Sequence, residues 1–132
     1  MTNLFLYPFE YRLEDVVNLY KDAGWWEDSF TSDFIPEIMK NSYCFAGVFE
    51  NDKMIGMGRV LSDGCSDAYI QDITILKEFR GRGLGLKITN FIIEHLKEND
   101  IDWIALIGAP GTQKFYEKMG FDLMSNHIPM KL

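Results

Sequence analysis

The feature that most constrains this chain is a glycine-rich run, residues 79–85, that joins two apolar stretches of different periodicity. Residues 69–76 before it are mostly apolar, and apolar residues recur at helical spacing through residues 84–96 after it. This order predicts a strand, a tight turn and a helix. Alternate glycines leave backbone N–H groups uncovered at the start of that helix, where they have no internal partner and carry partial positive charge. The run therefore predicts a phosphate-binding turn.

Two common kinds of phosphate-binding turn do not fit these residues. A P-loop needs a lysine directly after a glycine, but here Leu86 separates Gly85 from Lys87. A dinucleotide fingerprint reads G-x-G-x-x-G, whereas this run reads G-x-G-x-G. Arg80 and Arg82 nevertheless supply side chains that suit phosphate geometry. A nucleotide-phosphate hydrolase is therefore disfavoured, and another phosphate ligand is expected.

The run does fit the pattern R/Q-x-x-G-x-G/A, through Arg80, Gly83 and Gly85. In this it resembles the pyrophosphate-binding signature of the GNAT superfamily of acetyl-CoA-dependent N-acetyltransferases. A second segment, residues 115–121, resembles the F-Y-x-x-x-G-F motif found in the last helix and following strand of that superfamily. The two motifs stand in the expected order, and the resemblance covers roughly residues 43–124.

Periodicity along the 132 residues predicts one mixed α/β domain, residues 1–132. We predict helices at residues 12–23, 32–40, 83–97 and 112–119, and strands at residues 3–7, 43–50, 53–61, 68–76, 101–107, 121–124 and 128–132. Hairpin and strand–helix–strand units together imply a mixed, mostly antiparallel sheet with helices on both faces. The resemblance adds that strands 69–76 and 101–107 splay apart, with the pantetheine arm of CoA in the gap.

The resemblance also assigns residues to the cosubstrate, acetyl-CoA. It implies that strand backbone bonds pantetheine and that amides of the glycine run surround the pyrophosphate. The implied residues are Ile73 and Ile75 for pantetheine, and Arg80, Gly81, Arg82, Gly83, Leu84 and Gly85 for pyrophosphate.

Tyr116 is the leading candidate for the general acid, because a departing thiolate needs a proton that a tyrosine hydroxyl can supply. The positions that resemble the family's general base are Tyr69 and Gln71, and neither titrates near neutral pH. We expect proton removal through water held by Gln71 and Tyr69, or an acceptor that arrives neutral. Asp72 is a further possible base, but alternation along a strand points it to the opposite face unless a bulge re-aims it.

Two further segments depart from the family or vary within it. The family often has an asparagine seven positions before the tyrosine, where Ala109 stands here, and Thr112 or Gln113 are possible replacements. Residues 25–28, Trp-Trp-Glu-Asp, lie where the resemblance places the family's variable acceptor-binding segment. Aromatic faces beside carboxylates suit an ammonium group, although one tryptophan in the core and solvated acids explain the same pattern.

Composition narrows the classes of partner. A net charge of −7 disfavours nucleic-acid binding and favours a cationic substrate. No apolar run is long enough to span a membrane, and no signal peptide is apparent. Cys44 and Cys65 read as free thiols of a cytoplasmic protein. Neither they nor His95 and His127 have metal-ligand spacing, so no metal is expected.

We therefore expect an acetyl-CoA-dependent N-acetyltransferase in which a primary amine attacks the thioester directly in a ternary complex. A small-molecule amine is the first expectation for the acceptor, and a protein N-terminus or lysine is the second. A CoA-binding sensor or partner module without catalysis is the alternative from another class. The acceptor, the acyl chain length and the oligomeric state stay open, a homodimer included.

Overall fold

The computed structural model describes residues 1–132 and contains five strands and four α-helices. In chain order they are β1 (Thr2–Leu6), α1 (Leu13–Asp22), α2 (Phe34–Asn41), β2 (Cys44–Glu50), β3 (Lys53–Ser62), β4 (Asp67–Ile75), α3 (Leu84–Glu98), β5 (Trp103–Leu106) and α4 (Gln113–Glu117). A single 3-10 turn, Lys77–Phe79, follows β4 and is not anticipated by the sequence pattern. The predicted elements from β1 to α4 are all confirmed, with boundaries that differ by at most two residues.

The strands form one sheet in the order β1-β2-β3-β4-β5. Three neighbouring pairs are antiparallel, and only β4 and β5 are parallel. Their pairing runs from Asp67 opposite Trp103 to Ile70 opposite Leu106 and stops there. Residues 71–75 of β4 therefore have no partner on that side, which confirms the splayed parallel pair.

Helices cover both faces of the sheet, as two adjacent residues of β3 demonstrate. A Cβ on Gly58 would lie 3.0 Å from Ile92 of α3. The neighbouring Arg59 instead hydrogen bonds to Asp72, which also accepts a hydrogen bond from Tyr20 of α1. Successive strand residues point to opposite faces. Hence α1 and α3 lie on opposite sides, and between them the sheet buries one apolar core. None of the helices combines the length and apolar character needed to cross a bilayer.

The two predicted strands at residues 121–124 and 128–132 are wrong, because the chain after α4 forms no strand. Apolar residues do alternate there, but alternation yields a strand only where a partner supplies the ladder. Instead, His127 N–H donates to the Met124 carbonyl in a turn, and Asn126 is left-handed with φ +63°. Pro129 also lacks the N–H that a ladder would need.

We expect the two apolar segments to differ sharply in their contribution to stability. Ile92 of α3 is fully buried, so Ile92→Ala should lower the free energy of unfolding by about 2–5 kcal/mol through lost burial and a cavity. Ile128 is 79% exposed, so Ile128→Ala should change it by less than about 0.5 kcal/mol. Urea denaturation of both variants tests this. A large loss in the Ile128 variant would mean that the tail is packed after all.

Candidate functional site

The glycine turn before α3 has the conformation that the sequence suggests. Gly81 and Gly83 are left-handed, with φ +82° and +75°, and a Cβ on either would meet nothing within 4 Å. Backbone conformation, not lack of space, therefore demands glycine at both positions. Gly83 caps α3, and the helical bonds begin with Lys87 N–H donating to its carbonyl at 3.1 Å. The amides of residues 84–86 consequently have no intrahelical partner, and the first turn carries no acidic side chain.

The two arginines of the turn are tied only loosely. Arg80 Nε donates to the Ile75 carbonyl at 2.9 Å, and its Nη2 lies 3.9 Å from Asp22. Arg82 Nη1 lies 3.6 Å from Glu50, and its guanidinium sits 5.0 Å from the centroid of the Phe79 ring. Both arginine side chains are about half exposed, and exposed ion pairs contribute at most about 1 kcal/mol. A phosphate group can therefore compete with the carboxylates for them.

The backbone of β4 beyond Ile70 presents polar groups to the gap. Leu76 N–H donates to the Ile55 carbonyl of β3 at 2.9 Å, so the backbone polar groups of Leu76 point toward β3. Because successive strand residues direct their polar groups to alternate edges, Ile75 and Ile73 face away from β3, toward the opening beside β5. The Ile75 carbonyl accepts from Arg80, and the Ile75 N–H and the polar groups of Ile73 are thus placed where an added extended chain, as expected for pantetheine, would pair.

Tyr116 lies beside the β5 wall of the same opening. A Cβ on Gly108, two residues beyond β5, would be 3.7 Å from the Tyr116 ring. The ring also packs edge-on against Phe121 at 5.8 Å between centroids. Burial raises the pKa of the Tyr116 hydroxyl above its usual value. The hydroxyl therefore stays protonated at neutral pH, as a proton donor must.

The two sequence motifs meet in the structure through one glycine. A Cβ on Gly85 would lie 3.2 Å from Cζ of Phe115, which is tighter than ordinary van der Waals contact. The start of α3 and the body of α4 therefore pack closely only because residue 85 has no side chain. This contact positions Tyr116, the next residue, relative to the glycine turn.

A β-bulge in β4 lies just beyond the last residue of β4 that pairs with β5. Met57 pairs with Thr74 and Arg59 pairs with Gln71, so Asp72 and Ile73 together oppose the single residue Gly58. Asp72 adopts φ +56°, which is uncommon for a residue with a side chain. The sequence alone points Asp72 away from Gln71 unless a bulge re-aims it, and the structure contains that bulge.

Arg59 brings Gln71 and Asp72 together on one face. Its Nε donates to Oδ2 of Asp72 at 2.7 Å, and its Nη2 donates to Oε1 of Gln71 at 3.2 Å. Tyr20 of α1 donates its hydroxyl to the same Oδ2 at 2.7 Å. Burial, and then the Asp72 charge, raise the pKa of the Tyr20 hydroxyl. No group of the chain hydrogen bonds to the other carboxylate oxygen, Oδ1.

Sequence reasoning missed Arg59 and Tyr20. A signal for Arg59 was present, since it is the one charged residue in the apolar stretch 54–61. Its side chain is only 16% exposed, and a buried charge requires a partner. For Tyr20 no signal existed, because an aromatic residue on the apolar stripe of a helix reads as core.

Tyr69 lies on the same face as Gln71 but apart from the Arg59 cluster. Its ring packs edge-on against Trp103 of β5 at 5.5 Å between centroids, and it pairs across the sheet with Leu61. All three side chains are at least 40% exposed. They form an open apolar surface, hereafter the Tyr69 surface, that adjoins the opening along β4.

The aromatic residues between α1 and α2 divide between core and surface. Trp26 is half-buried against Phe30 and Phe34, with ring centroids 5.6 and 5.8 Å away. Trp25 packs on Tyr20 at 6.2 Å and remains 39% exposed. One tryptophan is thus packing, and the other presents a ring beside the residue that holds Asp72.

The candidate replacements for the missing asparagine are engaged locally. Thr112 donates its hydroxyl to the Ala109 carbonyl at 2.6 Å, and Gln113 donates to Glu117 at 3.3 Å. Both bonds lie within the loop and first turn of α4. They stabilise this segment and leave the substitution of the asparagine as a prediction.

Comparison with known proteins places this geometry among acetyltransferases. The profile of the acetyltransferase (GNAT) family matches residues 10–121. The uncharacterised N-acetyltransferase ycf52 of Pyropia yezoensis is 33% identical over 114 residues, which is 83% of this chain and 64% of that protein. A putative ribosomal protein bS18-alanine N-acetyltransferase of Bacillus subtilis is 30% identical over 83% of this chain and 76% of its own length.

A solved structure gives the same picture. A probable acetyltransferase of unknown function from meticillin-resistant Staphylococcus aureus superposes with a TM-score of 0.86 and 26% identity, over 100% of this chain and 98% of that one. The chain spans at most 64% of the length of the ycf52 and ycf52-like relatives that it matches.

The raised pKa of Tyr20 predicts a loss of stability at alkaline pH. Tyrosine in the unfolded chain ionises at about pH 10, whereas folded Tyr20 stays protonated there. Above that pH the unfolded state is therefore stabilised relative to the folded state. The stability advantage of wild type over Tyr20→Phe should be constant from pH 6 to 9 and shrink by about 1 kcal/mol at pH 11. Urea denaturation across this range measures it, and an unchanged difference at pH 11 would contradict it.

Proposed function

The chain belongs to the acetyltransferase (GNAT) family, and on that basis we propose that it transfers an acetyl group from acetyl-CoA to a primary amine. The observation that carries the proposal is the row of unpartnered amides at the start of α3, next to an opening between two parallel strands. Phosphate groups bind at such helix starts. The amide groups of an extended pantetheine arm would pair with free strand backbone, as peptides pair with open sheet edges.

The residues present fit acetyl-CoA as a substrate. Amides of residues 84–86 and the side chains of Arg80 and Arg82 would hold the pyrophosphate, and no acidic side chain in the first turn of α3 opposes it. Ile73 and Ile75 would bond the pantetheine arm. Leu84 and Gly85 would contribute only backbone N–H groups to the pyrophosphate. The lack of a side chain at position 85 matters separately, for packing.

The reaction is a direct transfer with both substrates bound. The amine nitrogen forms a bond to the acetyl carbonyl carbon, the carbon–sulfur bond breaks, and its electron pair leaves on sulfur. The Tyr116 hydroxyl gives that sulfur a proton and regains one from solvent. Holding both reactants in place supplies much of the acceleration.

The surplus proton of the amine needs a separate route. Neither an amide nor a phenol is a usual general base, so we infer that Gln71 and Tyr69 hold a water molecule that carries the proton away, or that the amine arrives neutral. The amide oxygen of Gln71 accepts from Arg59, which fixes its orientation and leaves its NH₂ group for the water.

A small-molecule amine is the proposed acceptor. The exposed ring of Trp25 and the acidic residues Glu27 and Asp28 support an ammonium compound, as does the net charge of −7. A polypeptide N-terminus is the second candidate, supported by the open Tyr69 surface and by the name of the Bacillus subtilis relative.

Both cysteines are free thiols, which supports the cytoplasmic location expected from the sequence.

Gly83→Asp should abolish CoA binding, because its carboxylate would occupy the phosphate site. Gly83→Asn is the matched control, since asparagine has the same size, tolerates the left-handed conformation and carries no charge. We expect calorimetry to show at least about a hundredfold loss of affinity for Asp and a much smaller loss for Asn. Equal losses in both variants would mean that size, not charge, excludes the ligand.

Tyr116→Phe should lower turnover by about 10²–10⁴-fold with little change in CoA affinity, since it removes the proton donor and keeps the ring. Thiol release from acetyl-CoA measures turnover across a panel of amines, and calorimetry measures binding. Unchanged turnover would remove Tyr116 from the mechanism. Tight CoA binding by wild type without turnover of any amine would favour a CoA-binding module instead.

A further inference from the structure

We propose that Asp72 binds the amino group of the acceptor through its free carboxylate oxygen, Oδ1, and so selects aliphatic and arylalkyl primary amines. The inference deepens the proposed acetyl transfer and depends on it. It gives Asp72, in the bulge of β4, a role in acceptor binding, whereas Tyr69 and Gln71 are proposed to hold the water that removes the proton.

The first support is position. Asp72 is the second residue of β4 beyond the last pair with β5, where the gap between the two strands begins. The bulge turns its side chain onto the face of Gln71, since both residues reach the same guanidinium of Arg59. The carboxylate therefore lies on the face of the sheet opposite to α3, next to the point where the pairing of β4 and β5 ends.

The second support is the unequal use of its two oxygens. Tyr20 and Arg59 both donate to Oδ2, each at 2.7 Å, and Oδ1 receives no hydrogen bond from the chain. The side chain is nevertheless 23% exposed, so a ligand can reach it. Two donors on one oxygen hold the carboxylate in a fixed orientation and leave the other oxygen as an acceptor.

The third support is the aromatic wall nearby. Trp25 packs on Tyr20 with ring centroids 6.2 Å apart and is 39% exposed. Tyr20 therefore contacts both Asp72 and this exposed ring, and aromatic faces favour ammonium groups. An N–H on Oδ1 leaves the nitrogen lone pair free once the amine is neutral.

A purely structural role for Asp72 makes a different prediction. If the carboxylate only links α1, β3 and β4, then its replacement should reduce stability and CoA affinity together. If it also binds the acceptor, the amine should be affected by variants that leave the link intact. The choice of variant separates the two roles.

Asp72→Asn is the decisive variant. Asparagine keeps the size, tolerates φ +56° and retains an oxygen for Tyr20 and Arg59, but it loses the carboxylate charge. Tyr20→Phe removes one bond to Oδ2 and leaves Oδ1 unchanged. Asp52→Asn, an exposed residue in the β2–β3 turn, controls for the loss of one negative charge.

The experiment measures initial rates at saturating acetyl-CoA with varied 2-phenylethylamine and putrescine, and CoA affinity by calorimetry. Asp72→Asn should raise KM for both amines at least about tenfold, with CoA affinity within about twofold of wild type. Tyr20→Phe should raise KM less than Asp72→Asn does, and Asp52→Asn should leave it unchanged. The same amine KM in Asp72→Asn and wild type would overturn the inference, as would a parallel loss of CoA affinity.

Direct binding keeps the test decisive if neither amine is turned over. Calorimetric titration of 2-phenylethylamine and putrescine into the CoA-saturated protein should show heat in wild type and a weaker signal in Asp72→Asn. Binding of neither amine to the wild type would overturn this inference alone. Failure of the wild type to bind CoA would instead overturn the proposed function.

Discussion

The site depends on one constraint, namely that β4 loses its parallel partner after Ile70 while it remains paired with β3. A strand edge with unpaired polar groups in the interior of a sheet is costly unless another chain or water satisfies them. Here the unpaired stretch leads directly into the glycine turn and the start of α3, so two sets of free amides follow one another along the chain. One extended, phosphorylated ligand can satisfy both sets at once.

The bulge explains how β4 can leave one neighbour and keep the other. Asp72 and Ile73 together oppose Gly58, and the extra residue bends the strand and increases its twist at that point. Gly58 has no side chain, so Ile73 and Ile92 of α3 can approach it at about 3 Å from a Cβ position. The small residue on β3 and the extra residue on β4 therefore belong to the same local arrangement.

Local patterns in the sequence were sufficient for the elements from β1 to α4 and for the glycine turn before α3. The left-handed conformations of Gly81 and Gly83 are ones that glycine adopts readily, and apolar residues at helical spacing predict the helix that begins after them. The network of Arg59, Tyr20 and Asp72 joins residues up to 52 positions apart, and no local rule predicts such a meeting. The strand predictions in residues 121–132 were wrong for the same reason, since the alternation of apolar residues says nothing about whether a partner strand is present.

The energetics of Asp72 indicate why an acidic residue occupies this strained position. A residue with a side chain in the left-handed region costs about 1–3 kcal/mol, and glycine would avoid that cost. Hydrogen bonds to a charged group contribute about 1.5–3 kcal/mol each, so the bonds from Arg59 and Tyr20 are enough to offset it. Glycine would also leave the Arg59 guanidinium, which is only 16% exposed, without its carboxylate partner, so stability alone favours aspartate here. The bonds that link α1, β3 and β4 through Asp72 use only Oδ2, and the second carboxylate oxygen stays available to a ligand.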